Sequence, residues 1–303
     1  LHALPIYHIH GLFVACNLCL LSGAKIHFIK KFQTEKVIEY LTKSTVMMGV
    51  PTFYTRLIES NKLNFEITKN IRVFISGSAP LLSETHKEFE RLTGHKILER
   101  YGMTETNMNT SNPYDGERRA GTVGFPLPGI KIRITDTEKN HKMVSEKIGM
   151  IEIKGENVFE GYWKMSDKTK ESFTDDGYFV TGDLGKFSSD GYLSIIGRNK
   201  DLIISGGLNI YPKEIEVVID GINNVKETAV IGVTHKDFGE AVVAVVVADR
   251  EKVSESSIME IVQTKLAKFK QPKKIIFVNA LPRNAMGKVQ KQNLRNNYNK
   301  LFN

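Results

Sequence analysis

Cysteine is scarce in this chain: among 303 residues there are two, Cys16 and Cys19. Their C-x-x-C spacing suits zinc or redox chemistry, but no second pair and no histidine cluster completes a four-ligand site. Both lie in an apolar run, residues 12–21, so two buried structural thiols in a reducing, cytoplasmic setting are expected. That run is the most membrane-like stretch, and it falls far short of the ~20 residues of a spanning helix, so membrane insertion is not expected. No signal peptide is visible. The sequence also has no initiator methionine and no polar lead-in. Residues 1–6 read as the middle of a domain, with the start of the protein expected upstream. Acidic residues are outnumbered, 34 against 42 basic ones, a formal net charge of +8. A basic balance suits polyanions. No cluster of aromatic and basic residues and no zinc-finger spacing singles out nucleic acid, so phosphorylated small molecules are the expected partners.

What is present is ordinary globular material, 41% hydrophobic and 25% charged, enough for two domains. Residues 71–75 form a short β-rich run. A helix then starts near Ser83, with Phe89 and Leu92 on one face and Gly94 as its stop. Residues 97–100 resume as a strand. Strand, loop, helix, strand implies a parallel αβ layer, taken as residues 1–120. From Gly121 short strands (130–135, 149–154, 177–181, 192–196) alternate with Gly and Asp turns, a β-rich subdomain over 121–198. A third texture fills 199–303. Pro212 opens a helix with Ile215, Val218, Ile219 and Ile222 on one face. Strands are expected at 228–233, 241–248 and 274–278, and an amphipathic helix over 257–269. The fold class is therefore α/β multidomain: an αβ domain with a β-rich subdomain (1–198) and a small α+β C-terminal domain (199–303).

Four segments carry chemistry. Residues 99–106, Glu-Arg-Tyr-Gly-Met-Thr-Glu-Thr, put an aromatic, a glycine, a hydroxyl and a carboxylate just after a strand. Tyr101 could stack on a base, Thr104 could bond a phosphate, and Glu105 could hold Mg²⁺. The segment is equally readable as a plain strand-to-turn passage. In residues 178–185, Asp183 follows a strand and a glycine, where an acid can accept from a ribose diol; a turn aspartate is the simpler alternative. Residues 197–207 join charges, an apolar pair and Gly206-Gly207 at the textural boundary. That suits a moving joint with a functional glycine loop better than a plain linker. In residues 281–289, Lys288 follows a glycine and could bring positive charge to a transferring phosphoryl group. A solvated lysine in a basic tail is the plainer account.

The order and spacing of these segments resemble the adenylate-forming superfamily of acyl-CoA synthetases, luciferases and peptide-synthetase adenylation domains. Residues 149–163, ending Gly-Tyr-Trp, add a fifth match, and the resemblance spans essentially the whole chain. It implies that Gly77, Ser78 and Ala79 lie beside adenine, that Tyr101 packs on it, and that Gly102 and Met103 belong to the same nucleotide site. Thr104 would contact the α-phosphate and Glu105 would bind Mg²⁺. Asp183 and Arg198 would hold the ribose hydroxyls. Lys200 matches a hinge, Gly206 and Gly207 the loop that admits pantetheine, and Lys288 the lysine that enters the site for adenylation. The residues after 198 would then be a mobile lid. ATP, Mg²⁺ and coenzyme A are the implied cofactors and co-substrates. One departure matters: the superfamily's Ser/Thr/Gly-rich phosphate loop ending in lysine is absent from these 303 residues and is expected upstream. The 303 residues alone are therefore expected to be inactive or nearly so.

Within the superfamily, residues 2–11, 48–56 and 99–116 resemble the malonate–CoA ligases. A dicarboxylate enzyme must neutralise a distal carboxylate in a closed site, since desolvating it alone is prohibitive. Arg100, where many relatives are neutral, and Arg56 are the candidates for a bidentate pair with that group. Each could instead serve a structural salt bridge, Arg100 with the adjacent Glu99. His8, from a segment lining the acyl pocket in relatives, is a substrate-pocket candidate or a packed, hydrogen-bonded histidine. Malonate, ATP and CoA are thus the expected small-molecule partners, with another short-chain, methyl-substituted dicarboxylic or aryl acid as the alternative. A nucleotide- or CoA-binding fragment without turnover is a further alternative. A monomer is expected.

Overall fold

The computed structural model describes residues 1–136, 146–284 and 287–302. It divides into two compact units, Leu1–Thr181 with Gly185–Ile195, and Gly182–Leu184 with Ile196–Asn303.

In the first unit, strands β1 (Val46–Gly49), β2 (Val73–Ser76) and β3 (Leu98–Met103) run parallel. Helices cross between them, Pro51–Glu59 after β1 and Ser83–Thr93 after β2, giving the expected αβ layer. Proline opens the first of these helices, where its missing N–H has no partner to lose. Gly94 stops the second with φ of 75°, a left-handed cap that its hydrogen-only side chain permits. Tyr54, Phe74 and Phe89 meet edge to face beneath the sheet, and the Tyr54 hydroxyl donates to the Ile75 carbonyl at 2.6 Å. Strands β4 (Asn107–Ser111) and β5 (Phe125–Pro126) extend the sheet antiparallel. A second sheet has the order β6 (Lys131–Thr135), β7 (Gly149–Lys154), β8 (Phe179–Phe187), β9 (Leu193–Arg198). Ile134, Ile151, Ile153 and Leu193 form its core.

The second unit is built on the hairpin of β12 (Val225–His235) and β13 (Gly239–Ala248). On one side of β13 lie β10 (Ile203–Ser205) and β11 (Leu208–Ile210), and on it pairs β14 (Lys274–Phe277) in parallel. The uninterrupted apolar run 241–247 follows from burial on both faces. Val242, Ala244 and Val246 pack with helices Pro212–Asp220 and Glu255–Lys265; Val243, Val245 and Val247 pack with Leu281 and Leu294.

Three expectations need correction. The helix expected over 257–269 spans Glu255–Lys265 and ends at Leu266, whose φ of −124° and ψ of 140° are extended. Phe269 sits in a following 3₁₀ turn, Lys268–Lys270, and is exposed. The strand expected to stop at 181 continues through Asp183, so that aspartate is not in a turn. Cys16 and Cys19 are free but half-buried rather than buried, because the apolar run forms helical turns whose outer residues, Leu20 and Leu21, are exposed. No helix among the described residues is long and apolar enough to cross a membrane.

Candidate active site

The segment 99–106 is a β-hairpin. Strand β3 carries Arg100, Tyr101, Gly102 and Met103; Thr104–Thr106 make the turn into β4. A bulge separates Tyr101 from Gly102, and a Cβ on Gly102 would lie 2.1 Å from the Asn107 carbonyl oxygen. Only glycine permits that approach. The turn leaves Thr104 exposed and Glu105 half-buried. The chain from 157 to 162 buttresses it. Asn157 Nδ2 donates to the Thr106 carbonyl at 2.6 Å, Phe159 N–H donates to the Glu105 carbonyl at 2.8 Å, and the Tyr162 hydroxyl donates to Glu105 Oε1 at 3.1 Å. Asn157 and Tyr162 were not singled out in the sequence, although both fall in the matching segment 149–163. A contact that links positions so far apart in the chain leaves no local pattern.

Arg100 is half-buried, and burial lowers its pKa. Its Nε donates to Ser111 Oγ at 3.2 Å, and among the described residues no carboxylate forms an ion pair with it. Glu99, the adjacent acid, instead accepts from the Leu81 N–H at 3.2 Å, because neighbours on a strand face opposite ways. The structural salt bridge considered for Arg100 with Glu99 is therefore not made. Arg56 lies in the last turn of helix Pro51–Glu59, exposed, with its guanidinium 5.9 Å from the Phe32 ring centre.

Gly77, Ser78 and Ala79 leave the end of β2. A Cβ on Gly77 would lie 3.5 Å from both the Arg100 carbonyl oxygen and His10 Cε1. Ser78 has φ of 71°, a left-handed backbone that is strained for serine. Its hydroxyl is 3.1 Å from Nδ1 of His10, which is buried. His8 Nδ1 accepts from the His10 N–H at 3.3 Å. Burial, then the nearby His8 and Arg100, lower the His10 pKa to about 4, so its ring is neutral at pH 7. Of this His-x-His pair His8 is the expected pocket residue, whereas the structure seats His10 against the glycine loop.

In the second unit Asp183, buried, pairs with Arg198 Nε at 2.8 Å. Gly182 before it has φ of 70°. Asp183 and Arg198, both expected at the ribose, thus meet each other. Lys200 is exposed in a 3₁₀ turn, Asn199–Asp201. Gly206 and Gly207, at φ of 58° and 77°, are the two central residues of the tight hairpin between β10 and β11. They make a turn rather than a linker. Lys288 is exposed, and Asn284 braces its segment: the Lys288 N–H donates to Asn284 Oδ1 and the Asn284 N–H donates to the Lys288 carbonyl, each at 3.0 Å. Ala285 and Met286 of that segment lie outside the described residues.

A parallel αβ sheet that ends in this glycine-bulged hairpin, accompanied by a small α+β unit, places the molecule among the AMP-binding enzymes, and the chain belongs to that family. Residues 1–163 match the family model described as AMP-binding enzyme, and residues 214–288 match the one described as AMP-binding enzyme C-terminal domain. The chain is similar to ATP-bound MatB from Rhodopseudomonas palustris, with 56% identity and a TM-score of 0.98, covering 100% of this chain and 60% of that one. It is 38% identical to the malonate–CoA ligase of Arabidopsis thaliana, over 97% of this chain and 53% of the relative. It is also 33% identical to a long-chain-fatty-acid–CoA ligase of Yersinia pestis, over 97% of this chain and 52% of the relative. The chain thus spans about half the length of these curated relatives.

Proposed function

We propose that this chain carries the base, ribose and acid contacts of an ATP-dependent, AMP-forming malonate–CoA ligase. A carboxylate oxygen of malonate attacks the α-phosphorus of ATP, pyrophosphate leaves, and malonyl-adenylate forms. The sulfur of CoA then attacks the activated carbonyl, AMP leaves, and the thioester remains. The similarity to an ATP-bound structure and to a malonate–CoA ligase supports this reading.

Each residue has a task in it. Gly77, Ser78 and Ala79 line the base, which Tyr101 packs against, with Gly102 and Met103 in the same wall. The exposed Thr104 hydroxyl donates to the α-phosphate. Asp183 accepts from the ribose hydroxyls, with Arg198 fixing its carboxylate. Lys288 offsets the negative charge that develops as two anions meet. Lys200 is the hinge about which the residues after it reorient, and Gly206 and Gly207 admit the pantetheine arm. Mg²⁺ suits the hairpin turn. Among the described residues no group of three His, Cys, Asp or Glu side chains could cage a metal. A hard cation that keeps its waters and binds substrate phosphates needs only a carboxylate such as Glu105, oriented here by Tyr162. When bound, the ion would neutralise phosphate charge. The reading includes a monomeric enzyme in the cytoplasm, in keeping with two free thiols.

Arg100 carries the choice of acid. A half-buried guanidinium without a carboxylate partner among the described residues is a poor structural element and a good receptor for a second carboxylate. His8 and Arg56 are the further candidates for the same pocket. The test is Arg100→Ala in the full-length protein. Its kcat/KM for malonate should fall by roughly 10–100-fold, the worth of a hydrogen bond to a charged group. Activity on acetate should be spared. Equal loss on both acids would refute the assignment.

A further inference from the structure

We propose that Glu227 and Glu216 are positioning residues for Lys288, clamping its segment from both sides. The inference rests on the role proposed above for Lys288. Arg283 and Val289 form an isolated antiparallel bridge, so Lys288 stands on the stem of a very short hairpin. So small a ladder does not hold its own geometry in water. Each flank of the stem is instead tied to one strand of the domain core.

Before the turn, the Arg283 guanidinium pairs with the Glu227 carboxylate on β12 and also donates to the Gly287 carbonyl. After it, Lys291 opens the C-terminal helix Lys291–Tyr298 and pairs with Glu216 at 2.5 Å. Glu216 is itself buried, and the same oxygen accepts from the Val230 N–H of β12 at 3.0 Å. One turn further along the helix, Arg295 pairs with Asp201 at 2.9 Å, with both side chains only 18% exposed. Solvated surface pairs contribute little, but the Lys291–Glu216 and Arg295–Asp201 pairs are largely shielded. They fix the direction from which the Lys288 side chain leaves the domain. A charge offered to a transition state acts only when held in register, so loosening either flank should slow the step that uses the lysine.

That step is adenylation, so the two half-reactions separate a positioning role from a structural one. In the full-length protein, Glu227→Gln and Glu216→Gln should each slow malonate-dependent ATP–pyrophosphate exchange by roughly 10-fold. Thioester formation from supplied malonyl-adenylate and CoA should stay within about 2-fold of the parent, since chemistry that does not use the lysine keeps its geometry. Should Glu216→Gln fail to fold, Arg283→Gln breaks the other clamp from the solvent side and serves in its place. Parallel loss of both half-reactions together with a lowered Tm would overturn the proposal, as would unchanged exchange in both variants. Lys288→Ala is the control: if it spares exchange, the role of Lys288 itself is wrong; if it abolishes exchange while the glutamate variants do not, only the clamp is.

Discussion

Asp220 is half-buried at the end of helix Pro212–Asp220 with one carboxyl oxygen out of solvent, and this desolvation pushes its pKa up to about 7 against the pull of Lys213. The folded state then holds a proton that the unfolded chain, titrating near 3.8, has lost. Between those values the native state binds more protons, so stability falls as pH rises from about 4 to about 7. Asp220→Asn should raise Tm at pH 8, by an amount worth a few kcal/mol, and leave it nearly unchanged at pH 4. Equal shifts at both pH values would contradict the assignment. His10 acts in the opposite sense. Its folded pKa of about 4 lies below the ordinary histidine value, so its contribution is present above 6.5 and is lost as pH falls toward 4. Thermal melts of the parent and of His10→Asn between pH 4 and 7 should converge at the acid end. Both groups owe their shifts to burial, which is a tertiary property. The sequence pointed to His8 rather than His10, and nothing in it marked Asp220.

At the scale of elements, legibility depended on whether the ending was local. The helix Ser83–Thr93 was readable from end to end because Gly94 supplies its stop and Phe89 its buried face. The helix Glu255–Lys265 was not. Leu266 and Phe269 continue the apolar period past the point where the backbone turns extended, so the pattern outruns the helix. Strand β8 also runs past its expected end: it passes through Gly182 and Asp183 as a member of a four-stranded sheet, whereas the sequence there reads as a turn. The hairpin of β3 and β4 depends on Gly102 in a way that can be measured. Gly102→Ala places a methyl 2.1 Å from the Asn107 oxygen and 2.5 Å from Met108 Cε. Overpacking of this kind costs about 1–3 kcal/mol. The variant should melt earlier and bind ATP more weakly, since Thr104 and Glu105 ride on the same turn. Unchanged ATP affinity by calorimetry would separate the hairpin from the nucleotide site.

For the whole molecule, the αβ fold and its family were legible because motifs spaced along the entire chain agree with one another. The acid proposed above rests on far fewer residues, chiefly Arg100, whose environment the sequence could only suggest. Relatives that share the family include both a malonate–CoA ligase and a long-chain-fatty-acid–CoA ligase, so membership alone does not fix the substrate. The direct test is a CoA-ligase assay of the full-length protein with ATP, Mg²⁺ and CoA against malonate, methylmalonate, acetate, benzoate and octanoate. Malonate should give the highest kcat/KM, with AMP and pyrophosphate as products. A preference for octanoate, benzoate or acetate, or turnover that yields ADP, would contradict the account.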